Sequence, residues 1–302
     1  MGKIDFVISV RDRDNKRIQR CIDSLNHQVV NKIYVIDYGS KKEVKVTGAE
    51  LIRIDKRMVW NKSHALNIGI KKSDSLNYIA TIDCDIILSK DFLDNVQSIV
   101  LRNDKSFILT RYVRRIGKFF LSDDSTEFED LLNDSRPWIT GVGRLDHQAN
   151  GGIQIFPSWW IRRVNGYDEN LIYWGGMDND IYERAVRSGL QIVDINSPIL
   201  HQEHDKNKEE NLDKIERQNA LAMRMGRRSY LELKDREGMI AGPDRWGAAK
   251  PNCKQINTIN AIMDEQRVAM QSLKKIINKN PNIKPTMEEL GEQLRKDLHI
   301  QK

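Results

Sequence analysis

Over roughly the first two thirds of the chain, short apolar runs rich in β-branched residues alternate with polar stretches that carry helical spacing. Residues 4–10 read as a strand. Residues 16–28 follow as a helix, with Ile18, Cys21, Ile22 and Leu25 at i, i+3, i+4 and i+7. Residues 32–37 predict a second strand ending in the turn Tyr38-Gly39-Ser40, and residues 50–54 a third. Residues 63–72 predict a helix with Ser63 as N-cap and Ala65, Leu66, Ile68, Gly69 and Ile70 turned inward. The continuous apolar run 78–82 reads as a buried strand that delivers Asp83-Cys84-Asp85 at its C-terminal end. Residues 114–150 break the pattern with an acidic segment and Arg136-Pro137-Trp138, and read as a long excursion over a site. Order returns with a strand at 153–156, a helix at 157–164 and the turn Asn165-Gly166-Tyr167-Asp168. A helix at 177–189 closed by Gly189 and a strand-like stretch at 190–200 complete it. Beyond His204 the chain reads as helical and highly charged. Residues 256–277 carry an apolar stripe, and 286–298 open with the capping box Thr286-Met287-Glu288-Glu289. The alternation predicts an α/β fold with a mostly parallel sheet over residues 1–215 and a basic, mainly helical extension over 216–302.

Composition narrows this only slightly. With 39% apolar and 30% charged residues the chain has the make-up of a globular protein, and it holds no apolar run long enough to span a bilayer. The start, Met1-Gly2-Lys3-Ile4-Asp5, lacks a signal peptide's apolar stretch, and Cys21, Cys84 and Cys253 fit neither a disulfide framework nor a zinc site. A cytoplasmic protein with reduced thiols is the expectation. The net charge of +6 is uneven: residues 205–302 hold 20 Lys/Arg against 15 Asp/Glu, while the first 204 hold 29 against 28. That basic third suits a polyanion such as nucleic acid, an acidic glycan or a membrane surface; a solvated helical face accounts for it equally.

Parallel α/β sheets place ligands beyond the carboxyl ends of their strands, which directs attention to Asp83-Cys84-Asp85. Residues two apart in a strand share a face, so both carboxylates are expected to enter one cleft, where they suit a hard divalent ion that bridges phosphates. Trp174-Gly175-Gly176-Met177-Asp178-Asn179-Asp180 sets an aromatic, two glycines and two carboxylates at the start of a helix. The helix dipole favours the ionised carboxylate there, which suits a base; plain capping is the competing reading. His201-Gln202-Glu203-His204-Asp205 offers two imidazoles beside acids, a metal-ligand pattern that is also met in ordinary surface loops.

Taken in order over about residues 4–215, these segments resemble the GT-A-fold glycosyltransferases of the β-1,4-galactosyltransferase-like group and the related bacterial chondroitin and polysaccharide transferases. Ile8-Ser9-Val10-Arg11-Asp12-Arg13 resembles the family's first strand, whose arginines, here Arg11 and Arg13, meet the nucleotide. Val35-Ile36-Asp37-Tyr38-Gly39-Ser40 is similar to the acidic turn that holds the uridine through Asp37. Tyr38 stands where an acid is common and offers a ring to stack on the base. Trp60-Asn61-Lys62-Ser63-His64-Ala65-Leu66-Asn67-Ile68-Gly69 resembles the segment that lines the donor with Trp60 and presents Lys62 to the diphosphate. By the same resemblance Asp83 touches the sugar or ribose, Asp85 and His201 bind Mn²⁺ (or Mg²⁺), and Gly152 belongs to the family's Gly-Gly segment. Trp174 lines the sugar pocket, Asp178 is the general base, and Asn179 and Asp180 face the acceptor. Pro198 stands where some members supply a methionine ligand, and Met177 and Asn179 replace acids that touch the acceptor sugar, so the resemblance carries over the reaction but not the family's best-known acceptor.

The resemblance implies a metal-dependent inverting transfer from a UDP-sugar to a hydroxyl of a glycan or other acceptor. The rivals are a retaining transferase of the same fold, a transferase acting on modified DNA bases through the basic extension, and a non-enzymatic nucleic-acid-binding protein. The sequence names neither the sugar, the acceptor nor the oligomeric state.

Overall fold

The structure is a computed structural model that describes residues 2–116, 139–140, 150–171, 176–197, 199–202 and 246–247. All of these fall in the compact unit Met1–Lys250. The expected boundary at 215/216, the helices beyond His204, the capping box at Thr286 and most of the 114–150 excursion lie outside the described residues. No described helix is long and apolar enough to cross a membrane.

The strands are β1 (Ile4–Val10), β2 (Val30–Asp37), β3 (Glu50–Arg53), β4 (Tyr78–Asp83), β5 (Ile86–Ile87), β6 (Ser106–Leu109), β7 (Tyr112–Ile116), β8 (Ile139–Thr140), β9 (Ile153–Pro157), β10 (Gln191–Asp194) and β11 (Ile199–Gln202). The helices are α1 (Asn15–Asp23), α2 (Lys62–Lys72), α3 (Lys90–Val100), α4 (Ser158–Arg163) and α5 (Met177–Arg187). Among the described residues the strands form a seven-stranded sheet, β10-β6-β9-β4-β1-β2-β3, and a four-stranded one, β5-β11-β7-β8. β3, β2, β1 and β4 run parallel, whereas β9 runs antiparallel between β4 and β6.

β1 is buried along its whole length, as a strand covered by helices on both faces must be. Its side chains alternate between two cores. Phe6, Ile8 and Val10 pack with Ile18, Cys21 and Ile22 of α1 and Phe92, Leu93 and Val96 of α3. Val7 packs on the other face with Ala65, Leu66 and Ile70 of α2, Trp160 and Ile161 of α4, and Ile181 of α5. Gly69 lets α2 close on β1, because a Cβ there would collide with the Val7 side chain.

One polar residue inverts the pattern. Asp5, fully buried in β1, accepts hydrogen bonds from Asn31 Nδ2 (2.8 Å), Ser73 Oγ (2.7 Å) and the Ser75 amide (3.2 Å). It thereby ties the ends of α2 and β4 to β2. Asp5→Ala removes the acceptor of the buried Ser73 hydroxyl and leaves a cavity in β1, and is expected to cost about 3 kcal/mol of unfolding free energy. Asp5→Asn, which keeps one acceptor, should lose clearly less. Urea denaturation checks both, and equal stability of wild type and Asp5→Ala would refute the role.

Several expected boundaries shift for local reasons. α1 ends at Asp23 rather than at 28, since Leu25 N already bonds Ile22 O at 2.9 Å in a tightened last turn. α2 is capped by Asn61 rather than Ser63: Asn61 Oδ1 accepts from His64 N at 3.0 Å, while Ser63 Oγ is buried against Met177 Sδ. Gly189, at φ +75°, closes α5 as expected, with Gly189 N on Val186 O (3.0 Å) and Leu190 N on Ala185 O (3.1 Å). The stretch 190–200 is not one strand. It divides into β10 on the large sheet and β11 on the small one.

Candidate active site

The register of the parallel strands sets Asp37 beside Val10 and Asp83 beside Ser9. The chain therefore leaves β1, β2 and β4 along one edge, the C-terminal one. Lys62, the first residue of α2, ion-pairs there with Asp83 Oδ1. Gly152, at φ +94°, accepts from the Asp83 amide at 2.9 Å and brings its glycine neighbour Gly151 alongside. Asp178 rests on that neighbour: a Cβ on Gly151 would lie 2.7 Å from Asp178 Oδ2. Lys62, Thr81, Asp83, Gly152, Gln154 and Asp178 line one small cleft. A roomier groove of about 730 Å³ at the N-terminal ends of β2 and β3 contains none of these residues.

The charges in this cleft are unequal. Burial pulls the Lys62 ammonium down, but Asp83 and Asp178 outweigh it and leave its pKa raised. Burial raises the Asp83 carboxyl; Lys62 opposes this, and Asp85 and Asp178 add to it, so the net direction is upward. Two carboxylates, Asp83 and Asp178, thus bear on the one ammonium.

Asp83-Cys84-Asp85 does not continue as the extended strand expected. β4 stops at Asp83, residues 84–85 turn, and Ile86–Ile87 pairs with β11 on the small sheet. The two carboxylates part as a result. Asp83 goes to Lys62, while Asp85 goes to His201, with Asp85 Oδ2 3.7 Å from His201 Nε2. The backbone fixes this second pair, since His201 lies opposite Ile86 and Gln202 N donates to Asp85 O at 2.8 Å. One carboxylate and one imidazole, mostly buried, suit Mn²⁺ or Mg²⁺ whose other positions come from phosphate and water. Among the described residues no group of three or more metal-ligating side chains assembles. His204 lies outside them.

Asp178 sits in the first turn of α5, whose N-cap Gly176 adopts φ +79° and provides no side-chain cap. Its backbone carbonyl is held by Gln154 Nε2 (3.0 Å), which also bonds Asn150 O (2.7 Å). Tyr167 OH orients Gln154 by donating to its Oε1 at 2.6 Å and meets Thr81 Oγ1 at 2.6 Å. Asn179 accepts from Asn150 Nδ2 at 3.0 Å and stays at the cleft margin. Asp180 departs from expectation. It is buried, and its Oδ2 binds Arg184 Nε and a terminal guanidinium nitrogen, each at 2.9 Å, so it secures α5 rather than facing an acceptor. Arg184 continues to Gly166 O at 2.9 Å.

Of the residues expected to meet a nucleotide, Arg11 is buried and donates to Met58 O at 2.6 Å, and Arg13 is half-buried. Asp37 is held by Arg53 (2.6 Å) and the Ser40 amide (2.9 Å). Tyr38 is closed off from stacking on a base: it is 1% exposed, and its hydroxyl meets His64 Nδ1 at 2.7 Å. Trp60 stands edge-on to it, with ring centroids 5.5 Å apart. Trp174 lies outside the described residues. Arg53, Gln154 and Tyr167 were not expected here. Arg53 alone had a readable sign, its place opposite Asp37 once β2 and β3 are aligned.

This mostly parallel mixed sheet, with carboxylates at its C-terminal edge, is of the GT-A fold. The chain matches Glycosyl transferase family 2 over residues 5–165 and the N-terminal domain of galactosyltransferase over residues 144–206. It belongs to glycosyl transferase family 2 and is a glycosyltransferase. Escherichia coli chondroitin synthase is 21% identical over 224 residues, 61% of this chain and 32% of that protein, so the chain spans about a third of that relative's length. Among solved structures, GalNAc-T7 with UDP, GalNAc and Mn²⁺ aligns at TM-score 0.48 and 13% identity, covering 67% of this chain and 44% of the other. A mutant Drosophila β1,4-galactosyltransferase 7 with manganese, UDP-Gal and xylobiose aligns at 0.44 and 16%, covering 72% and 79%.

Proposed function

We propose that the chain transfers a sugar from a UDP-sugar to an acceptor hydroxyl with inversion at the anomeric carbon, assisted by a divalent ion. The observation that carries this reading is the cleft where Asp178, lying against Gly151, opens toward the Lys62–Asp83 pair. Asp85 and His201 would hold Mn²⁺ or Mg²⁺, and such an ion offsets charge growing on a leaving diphosphate. Lys62, kept charged by Asp83, binds the diphosphate. Arg11 and Arg13, with Asp37 and Trp60, form the nucleotide side. Asp83 faces the sugar or ribose, and Gly152 lets the donor approach the backbone. Trp174 lines the sugar pocket and Asn179 contacts the acceptor.

Asp178 takes the proton from the acceptor hydroxyl as its oxygen bonds to the anomeric carbon. The bond from that carbon to the phosphate oxygen breaks, and its electron pair leaves with UDP. A single displacement of this kind inverts the centre. The acceptor is proposed to be a glycan, in keeping with the likeness to chondroitin synthase. No described residue favours the nucleic-acid readings, which rest on 216–302.

Calorimetry with UDP, GDP, CDP and dTDP, each with and without Mn²⁺, tests the donor. Binding of UDP that requires Mn²⁺ is the expected outcome, and equal indifference to all four nucleotides would overturn it. Proton NMR of the product then reads the anomeric configuration, with retention ruling out the single displacement.

A further inference from the structure

Trp246 and Gly247, from the part of the chain assigned to the C-terminal extension, pack onto α2. Trp246 is 7% exposed and joins the core formed by Leu66, Ile70, Val164 and Tyr167. Lys71 Nζ stands 4.7 Å from the centre of its ring. Gly247 follows at φ +64°, so close to the helix that a Cβ would lie 2.7 Å from Asn67 O. Its amide donates to Glu169 Oε1 at 2.6 Å, the oxygen that also accepts from Asn67 Nδ2 at 2.9 Å.

Glu169 carries this contact to the start of the helix. Its backbone carbonyl accepts from Asn61 Nδ2 at 2.8 Å, and Asn61 caps α2 immediately before Lys62. Two residues of the chain's last third are therefore linked, through one buried glutamate, to the N-cap that aims the Lys62 ammonium at Asp83.

We propose that Trp246 and Gly247 form a clasp that positions Lys62 for the donor diphosphate, so that the catalytic unit does not end near residue 215. The proposal rests on the UDP-sugar reading above. Trp246, Gly247 and Glu169 touch no substrate and act through Asn61. The helix that presents the ammonium is thus fixed at its cap by Glu169 and along its flank by the indole, which its own Lys71 covers.

The test uses the full chain and calorimetric titration of UDP with Mn²⁺ at a temperature well below the melting midpoint. Trp246→Ala removes the ring; Gly247→Ala pushes the segment off Asn67 without opening a core cavity. Each is expected to weaken UDP binding by about tenfold, since small misplacements of a positioning group carry costs of that order. Trp246→Phe should recover most of the affinity. Trp160→Phe, a core change on α4, controls for stability by lowering the melting midpoint while leaving UDP affinity unchanged. If Trp246→Ala fails to fold, Gly247→Ala decides. Wild-type affinity in the folded variants, or an equal loss in Trp160→Phe, overturns the clasp. Absence of UDP binding by the wild type would instead count against the donor reading.

Discussion

Asp178→Asn is expected to lower the rate of sugar transfer by about 10²–10⁴-fold while leaving UDP affinity within about twofold of wild type. Asparagine keeps the shape of the side chain that lies against Gly151 and removes the capacity to take a proton, together with one of the two charges that bear on Lys62, which Asp83 continues to pair. The anchoring of α5 is untouched, because Gln154 holds the Asp178 backbone carbonyl and Arg184 holds Asp180. A loss confined to kcat marks a group that acts in the transition state; a loss confined to KM would make Asp178 a binding residue. Steady-state kinetics of the variant beside UDP titration separates the two. Turnover near the wild-type rate would remove Asp178 from the mechanism.

Asp85→Ala and His201→Ala form the second large expectation. Each deletes one member of the 3.7 Å carboxylate–imidazole pair. Each should raise the Mn²⁺ concentration needed for half-maximal UDP binding by about tenfold or more, and excess Mn²⁺ should rescue part of the loss. UDP titrations across a Mn²⁺ series measure this. Asp83→Ala should differ, weakening transfer while leaving the Mn²⁺ requirement near that of wild type, because Asp83 pairs with Lys62. Identical Mn²⁺ curves for wild type and Asp85→Ala would overturn the assignment.

The centre of the large sheet was legible because β1 and β4 are buried along almost their whole length; β6 went unread, and β10 was merged with β11 into one stretch. Asp83 and Asp178 were singled out by their places at the end of a strand and the start of a helix, whereas Lys62, placed just before the expected helix, was singled out only through the family resemblance. The acidic triplet was misread in geometry. Its side-chain spacing assumed a continuing strand, and the turn at 84–85 is imposed by pairing of Ile86 and Ile87 with a strand more than one hundred residues away. Asp180 carried a local sign that was passed over, Arg184 at i+4 on the same helix. The Asn61 cap was ambiguous because Asn61 and Ser63 are both good capping residues two positions apart. Gln154, Tyr167 and Trp246 act through contacts that depend on three-dimensional packing alone, and no spacing in the chain announces them.

The passage from β4 to β5 covers only residues 84 and 85, yet it takes the chain from one sheet to the other. Asp85 belongs to that bridge, and His201 belongs to the small sheet's own pairing. The two candidate ligands therefore sit on a seam rather than within either layer. Inserting one residue in the bridge would turn β5 over, exchange its inward and outward faces, and misalign it with β11. The length of this bridge is therefore tied to the pairing of β5 with β11 and to the contact between Asp85 and His201.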